Sequence, residues 1–355
     1  MPPRDRWAAG GLAASLPMIR PVGPSRHDPA RPARRALARV AVVPVGALTL
    51  ACGAVTPVLA HGAGSDLPPL DAGTLLGTWA VDPLLVAALL LAGAAYLWAA
   101  LAVKDRRPRV PVARRRVAAW LGGLAVTWFA LQSAVDVYAT SLFSIHMVQH
   151  LLLVAIAAPF LLYAAPATLA LRAASPRARH RFVLPLLRSR LVGALSHPVV
   201  AWVAFAAVMW ASHFSPLFDA ALEDPLVHEL EHALYLGSAL LFWWPVVGAD
   251  PGRWRLGFPA RIVYLVTALP QNSFLGVAIY FAPRVLYPHY ATVERAWGPT
   301  PLEDQQLAGE IMWVFGDLVF LVALLLVVAA WLTDEERKGR IADARLDAEA
   351  AVRGR

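Results

Sequence analysis

Long apolar runs alternate with short polar segments along most of this chain. Seven of the runs approach the roughly 20 residues a helix needs to cross a bilayer. They occupy approximately residues 83–103, 117–137, 146–169, 198–214, 228–247, 262–281 and 311–332. Asp82-Pro83 is a good helix opening, with a carboxylate at the cap and proline at the first helical position. The pattern predicts an all-α, polytopic transmembrane helix bundle over 75–335, followed by a charged tail at 336–355. An eighth apolar run, 40–60, follows an Arg/Pro-rich stretch at 1–39 that lacks apolar periodicity and is expected to be disordered. A basic lead, an apolar run and a small-residue end describe a signal peptide; a retained extra span fits equally well.

Polar residues between the runs give the bundle a direction. Lys104, Arg106, Arg107, Arg109 and Arg114 to Arg116 follow the first span; Arg172, Arg177, Arg179, Arg181, Arg188 and Arg190 follow the third; Arg253, Arg255 and Arg261 follow the fifth. The alternate loops carry no Lys or Arg at 61–82, 138–145 and 216–227, and only Arg284 and Arg295 at 282–307. By the positive-inside rule the core starts outside and ends in the cytoplasm. Composition agrees, with 58% hydrophobic and 16% charged residues against the roughly 25% charged of a soluble domain. The net charge of +8 is therefore topology, not a nucleic-acid footprint.

That direction changes the meaning of the histidines. His146 and His150 open the third span from outside, His213 closes the fourth, and His228 and His232 open the fifth. Each pair has i, i+4 spacing, which sets two imidazoles on one helix face. With a single cysteine, Cys52, there is no Cys-x-x-Cys pair, so a transition metal would rely on His, Met and carboxylates. Met147, Met209 and Met312 are the available thioethers, soft ligands that favour Cu(I). The plain alternative is a set of interfacial histidines bonded to backbone or water. Asp317, inside the seventh span, is either a ligand or a hydrogen-bonded partner of the Gln271-Asn272-Ser273 triplet that follows Pro270. Two further chemistries use the same residues: bis-His ligation of haem in a b-type cytochrome, and a zinc protease, since His228-Glu229-Leu230-Glu231-His232 matches H-E-x-x-H.

Longer motifs narrow these options. His146-Met147-x-x-His150 leads into Ala158-Pro159; His228-x-x-x-His232 leads to Phe242-Trp243-Trp244-Pro245; Leu286-Tyr287-Pro288-x-Tyr290 precedes Leu302-Glu303-Asp304-Gln305-Gln306-Leu307-Ala308-Gly309-Glu310-Ile311-Met312-Trp313. Together they resemble the polytopic CtaG-type cytochrome c oxidase assembly factors, over roughly 75–335. The resemblance implies a multi-pass bacterial plasma-membrane protein that matures a haem–copper oxidase, handles copper and catalyses no reaction. It implies oxidase subunits, and an extracytoplasmic copper carrier, as partners. The matching positions are His146, Met147, His150, His228, His232, Asp304, Gln305, Gly309, Met312 and Trp313. Glu310 departs from the expected apolar residue and either adds a ligand or faces water.

Overall fold

A computed structural model describes residues 67–106 and 108–353. The expectations for 1–39 and 40–60, and for His27, Cys52 and His61, fall outside the described residues. Among these there is no strand, only an isolated antiparallel bridge between Trp79 and Ser133. Every apolar run within the described residues forms helix, and the seven main helices there are α1 Pro83–Arg106, α2 Arg114–Gln132, α3 Phe143–Ala173, α4 Pro198–His213, α5 Pro225–Val247, α6 Phe258–Tyr280 and α7 Pro301–Arg353.

The helix starts follow local chemistry. Asp82 Oδ1 accepts from Leu84 N at 2.7 Å, and Asp224 Oδ1 accepts from Leu226 N at 2.8 Å at the head of α5. Both carboxylates precede a proline, which has no N–H to leave unpaired.

Span number is where the structure corrects the sequence. Among the described residues four helices, α1, α3, α6 and α7, are long and apolar enough to cross a membrane. A fifth span results if α4 and the following Leu217–Glu223 helix, bent from it by 67°, are one broken span. Among the described residues the count is thus below the seven expected there. In physical terms, α2 opens on Arg114, Arg115 and Arg116, and α5 carries His228, Glu229, Glu231 and His232 in its first turns. Both sequences mix charge into what period alone reads as a span.

Breaks within helices also differ from a simple run. The second predicted span stops at Ser133, whose Oγ accepts from Val135 N and caps a separate short helix, Ala134–Ala139. In α3 a π-helical segment, Leu152–Ala157, precedes Pro159, and the left-handed Ala165 (φ 55°) breaks the helix before Pro166. Trp243 Nε1 donates to Val154 O in that π segment at 2.9 Å, tying α5 to α3. The seventh helix begins ten residues before the expected span and continues to Arg353, so the charged tail is helical. Its polar opening is buried: Asp304 and Gln305 are almost fully covered.

Helix α6 packs along α7 more extensively than any other pair. At the crossing Gly309 approaches backbone so closely that a Cβ would lie 2.7 Å from Tyr280 N and 2.8 Å from Gly276 O. Small residues allow such approach between membrane helices. A core of Met147, Phe205, Met209, Tyr235, Phe242, Trp243, Leu275 and Met312 fills the space among α3 to α7.

A candidate metal centre between α3 and α5

The N-terminal turn of α3 is set by α7. Asp304 accepts from Phe143 N at 2.6 Å and from Ser144 Oγ at 2.5 Å. Gln149 Nε2 donates to Ala130 O at 3.0 Å and to Asp136 Oδ1 at 2.8 Å. These contacts fix both the rise and the rotation of the turn that carries His146 and His150.

The two imidazoles meet edge to face, with Nε2 atoms 2.9 Å apart. Glu231 of α5 brings Oε2 to 3.7 Å from His146 Nε2 and 3.9 Å from His150 Nε2. All three residues are buried: His146 is 0% exposed, Glu231 1% and His150 4%. Neither oxygen of Glu231 has a hydrogen-bond partner. Three atoms with separations of 2.9, 3.7 and 3.9 Å lie on a circle of about 2.1 Å radius, which matches the ≈ 2.0–2.2 Å bonds of zinc to imidazole or carboxylate. An ion at that centre would lie within bonding distance of all three atoms, with the proton that His150 Nε2 shares with His146 Nε2 given up on binding. Among the described residues this is the only group of three His, Cys or carboxylate ligands so arranged.

The tautomer of His146 suits a ligand. Tyr290 OH donates its one proton to Ala139 O at 2.8 Å, so it accepts from His146 Nδ1 at 3.2 Å. In the neutral ring the proton then sits on Nδ1 and Nε2 carries the lone pair. A second hydrogen bond of this kind orients most metal-binding histidines. Tyr290 belongs to the short Pro288–Thr292 helix, which covers the centre together with Phe143, Phe218 and Tyr287.

His228 and His232 stand beside the triad, with ring centroids 5.9 Å from His146 and 6.0 Å from His150 respectively. His213 lies further in: Tyr235 OH is 3.2 Å from its Nδ1 and 2.5 Å from Ser212 Oγ, and Tyr235 also stacks on His150 at 4.0 Å. Met147, Met209 and Met312 line a cavity next to His150 and His213. All five histidines and all three methionines singled out in the sequence therefore gather in one region. Asp317 does not join them. Its oxygens accept from Asn272 Nδ2 at 3.0 Å and Ser273 Oγ at 2.5 Å, the α6–α7 pairing that was the alternative reading. Glu310 is exposed and His289 donates from Nε2 to Thr140 O at 2.9 Å, outside the triad. Sequence reasoning missed Glu231. The signal was present, since residue 231 falls on the same helical face as 228 and 232, but H-E-x-x-H drew attention to Glu229.

The fold and site define a helical membrane protein with a buried histidine–carboxylate centre. Residues 94–334 match the family of the cytochrome c oxidase caa3 assembly factor (Caa3_CtaG). The chain belongs to that family. It is also similar to uncharacterised proteins of mycobacteria: 31% identical over 296 residues to Mb0105 of Mycobacterium bovis and to MT0111 of Mycobacterium tuberculosis. Each of those matches takes in 81% of this chain and 44% of the relative. ML1998 of Mycobacterium leprae is 29% identical over 282 residues, 77% of this chain and 42% of that protein. The chain thus spans less than half the length of these relatives. No solved structure matches it.

Proposed function

We propose that this assembly factor holds copper at His146, His150 and Glu231 and passes it to a haem–copper oxidase during maturation. The observation that carries the reading is the circle of about 2.1 Å radius through three buried ligand atoms, one metal–ligand bond in size. Two imidazoles and a carboxylate suit a first-row transition ion, and a role in assembling a cytochrome c oxidase supports copper as that ion. Copper would be cargo here, and three protein ligands would leave the coordination shell incomplete, as a site that gives up its ion requires. The loop charges support an extracytoplasmic position for the triad in a bacterial plasma membrane, where a secreted copper carrier would deliver. The protein acts as a carrier in this scheme and catalyses no reaction.

A bis-His haem would instead take one histidine from each of two facing helices, and it is separated from copper by its optical spectrum. A zinc-protease reading needs Glu229 as base, yet the carboxylate that meets the histidine pair of α3 is Glu231.

The test has two arms. The purified chain is analysed for metals and by optical spectroscopy: copper without a Soret band is expected, and stoichiometric iron with a Soret band overturns the proposal. A deletion strain is expected to assemble an oxidase deficient in copper and activity. An oxidase with full copper and full activity would refute the assembly role.

A further inference from the structure

Beneath the triad lies a second arrangement of ligands that the first does not use. A small cavity of about 40 Å³ has Met147, Met209, Met312, His150 and His213 in its lining. The three methionines come from α3, α4 and α7, yet they share this one space and are each at most 5% exposed. Met209 and His213 are one turn apart on α4.

His213 is set up as a donor of electrons, not of a proton. Its Nδ1 lies 2.7 Å from Met209 O, and a carbonyl can only accept, so Nδ1 carries the hydrogen. The lone pair is left on Nε2, which is buried and has no hydrogen-bond partner. A buried acceptor left unpaired is destabilising, and an ion would offset that cost. His150 Nδ1 is likewise buried without a partner, while its Nε2 belongs to the triad. His150 therefore borders both positions.

The two positions differ in softness. A carboxylate and imidazoles accept Zn(II) or Cu(II) readily, whereas thioethers bind monovalent d10 ions and discriminate against zinc. From these observations we infer that the protein holds two metal positions: the His146/His150/Glu231 triad, and an inner Cu(I) position formed by His213 Nε2 and the sulfurs of Met147, Met209 and Met312. The inference rests on the copper-handling reading above and extends it to an inner store reached past His150. Neither position requires a change of oxidation state in the protein, because Cu(I) can occupy both.

The experiment uses the full chain in detergent micelles under anaerobic conditions. It is titrated with Cu(I) against a chromophoric Cu(I) chelator and, separately, with Zn(II). X-ray absorption at the copper edge reports sulfur ligation. The wild type is expected to bind two Cu(I) with clear Cu–S scattering, and one Zn(II). Met209→Leu/Met312→Leu conserves volume; it should lose one Cu(I) and the sulfur scattering, with Zn(II) affinity unchanged within about twofold. Glu231→Gln should show the opposite pattern, with weakened Zn(II) and retained Cu–S scattering. One bound Cu(I) with only nitrogen and oxygen neighbours in the wild type would overturn the inner position and leave the triad standing. Failure of the wild type to bind either metal sinks both.

Discussion

Glu231→Gln isolates the triad from the rest of the fold. Glutamine keeps the volume of the side chain and removes the anionic oxygen that closes the circle of His146 and His150. Neither Glu231 oxygen has a hydrogen bond to lose, so the metal-free variant should stay within about 1 kcal/mol of the wild type. Its affinity should not. Loss of an outer-sphere partner costs about 10–100-fold in metal affinity, and a direct ligand is worth at least the upper figure. A hundredfold loss is about 2.7 kcal/mol.

Thermal shift in detergent converts this into a clean contrast. With Zn(II), which the triad alone is expected to take, at 100 times the wild-type Kd, binding stabilises the wild type by about 2.7 kcal/mol. The variant then sits near its own Kd and gains only about 0.4 kcal/mol. At about 2–4 °C per kcal/mol, the wild type should move up by roughly 5–10 °C and the variant by about 1 °C. Glu229→Gln serves as the control, because Glu229 is only half-buried and lies outside the triad. An equal metal-induced shift in wild type and Glu231→Gln refutes the assignment, and so does a shift lost equally in Glu229→Gln.

Other parts of the molecule make separate predictions. Tyr290→Phe removes the acceptor for His146 Nδ1 and should weaken metal binding about 10–100-fold by isothermal titration while leaving helicity intact; unchanged affinity would mean the tautomer is set elsewhere. Gly309→Leu forces side-chain atoms where even a Cβ meets Tyr280 N at 2.7 Å, and overpacking of this kind costs about 1–3 kcal/mol or more. A melting temperature equal to the wild type would show that α6 and α7 can part freely. Asp250, in the segment after α5, accepts from Ala167 N at 3.0 Å and Thr168 N at 2.6 Å. Burial holds its carboxyl above the ordinary carboxylate range, against the lowering effect of Thr168, Ala167 and Arg116. The folded state thus keeps this proton more tightly than the unfolded chain, and stability should fall as pH rises through that raised range. Melting curves from pH 4 to 8 should show a shallower fall for Asp250→Asn; identical slopes would refute the assignment.

Helix identity was legible in the sequence because lipid imposes a strong rule: every backbone group must be satisfied within a helix. Apolar runs then mark helices directly. Span count was harder, since period and mean apolarity do not reveal which helices hide charge inside protein. Helix α5 illustrates the difficulty, with Glu231 and two histidines facing α3 and no lipid contact implied by their burial. The break at Ser133 was missed although Gln132, a cap-forming serine and Asp136 mark it, because the apolar run on either side masked so short a polar signal.

The histidine pairs were legible for the same reason that the carboxylate was not. Spacing of i, i+4 places His146 with His150 without knowledge of any partner helix. Glu231 acquires its role only when α5 is set against α3 at one register, and that register is fixed from outside by Trp243 on Val154 O and by Asp304 on Phe143 and Ser144. The motif residues Asp304 and Tyr290, which sequence offers as family landmarks without a task, are thereby explained: one positions the helix turn that carries the imidazoles, and the other holds the proton of His146 on the nitrogen that faces away from the triad. A substitution at either should move metal affinity without removing a ligand, which is the behaviour expected of a site built by tertiary contacts and not by a local motif.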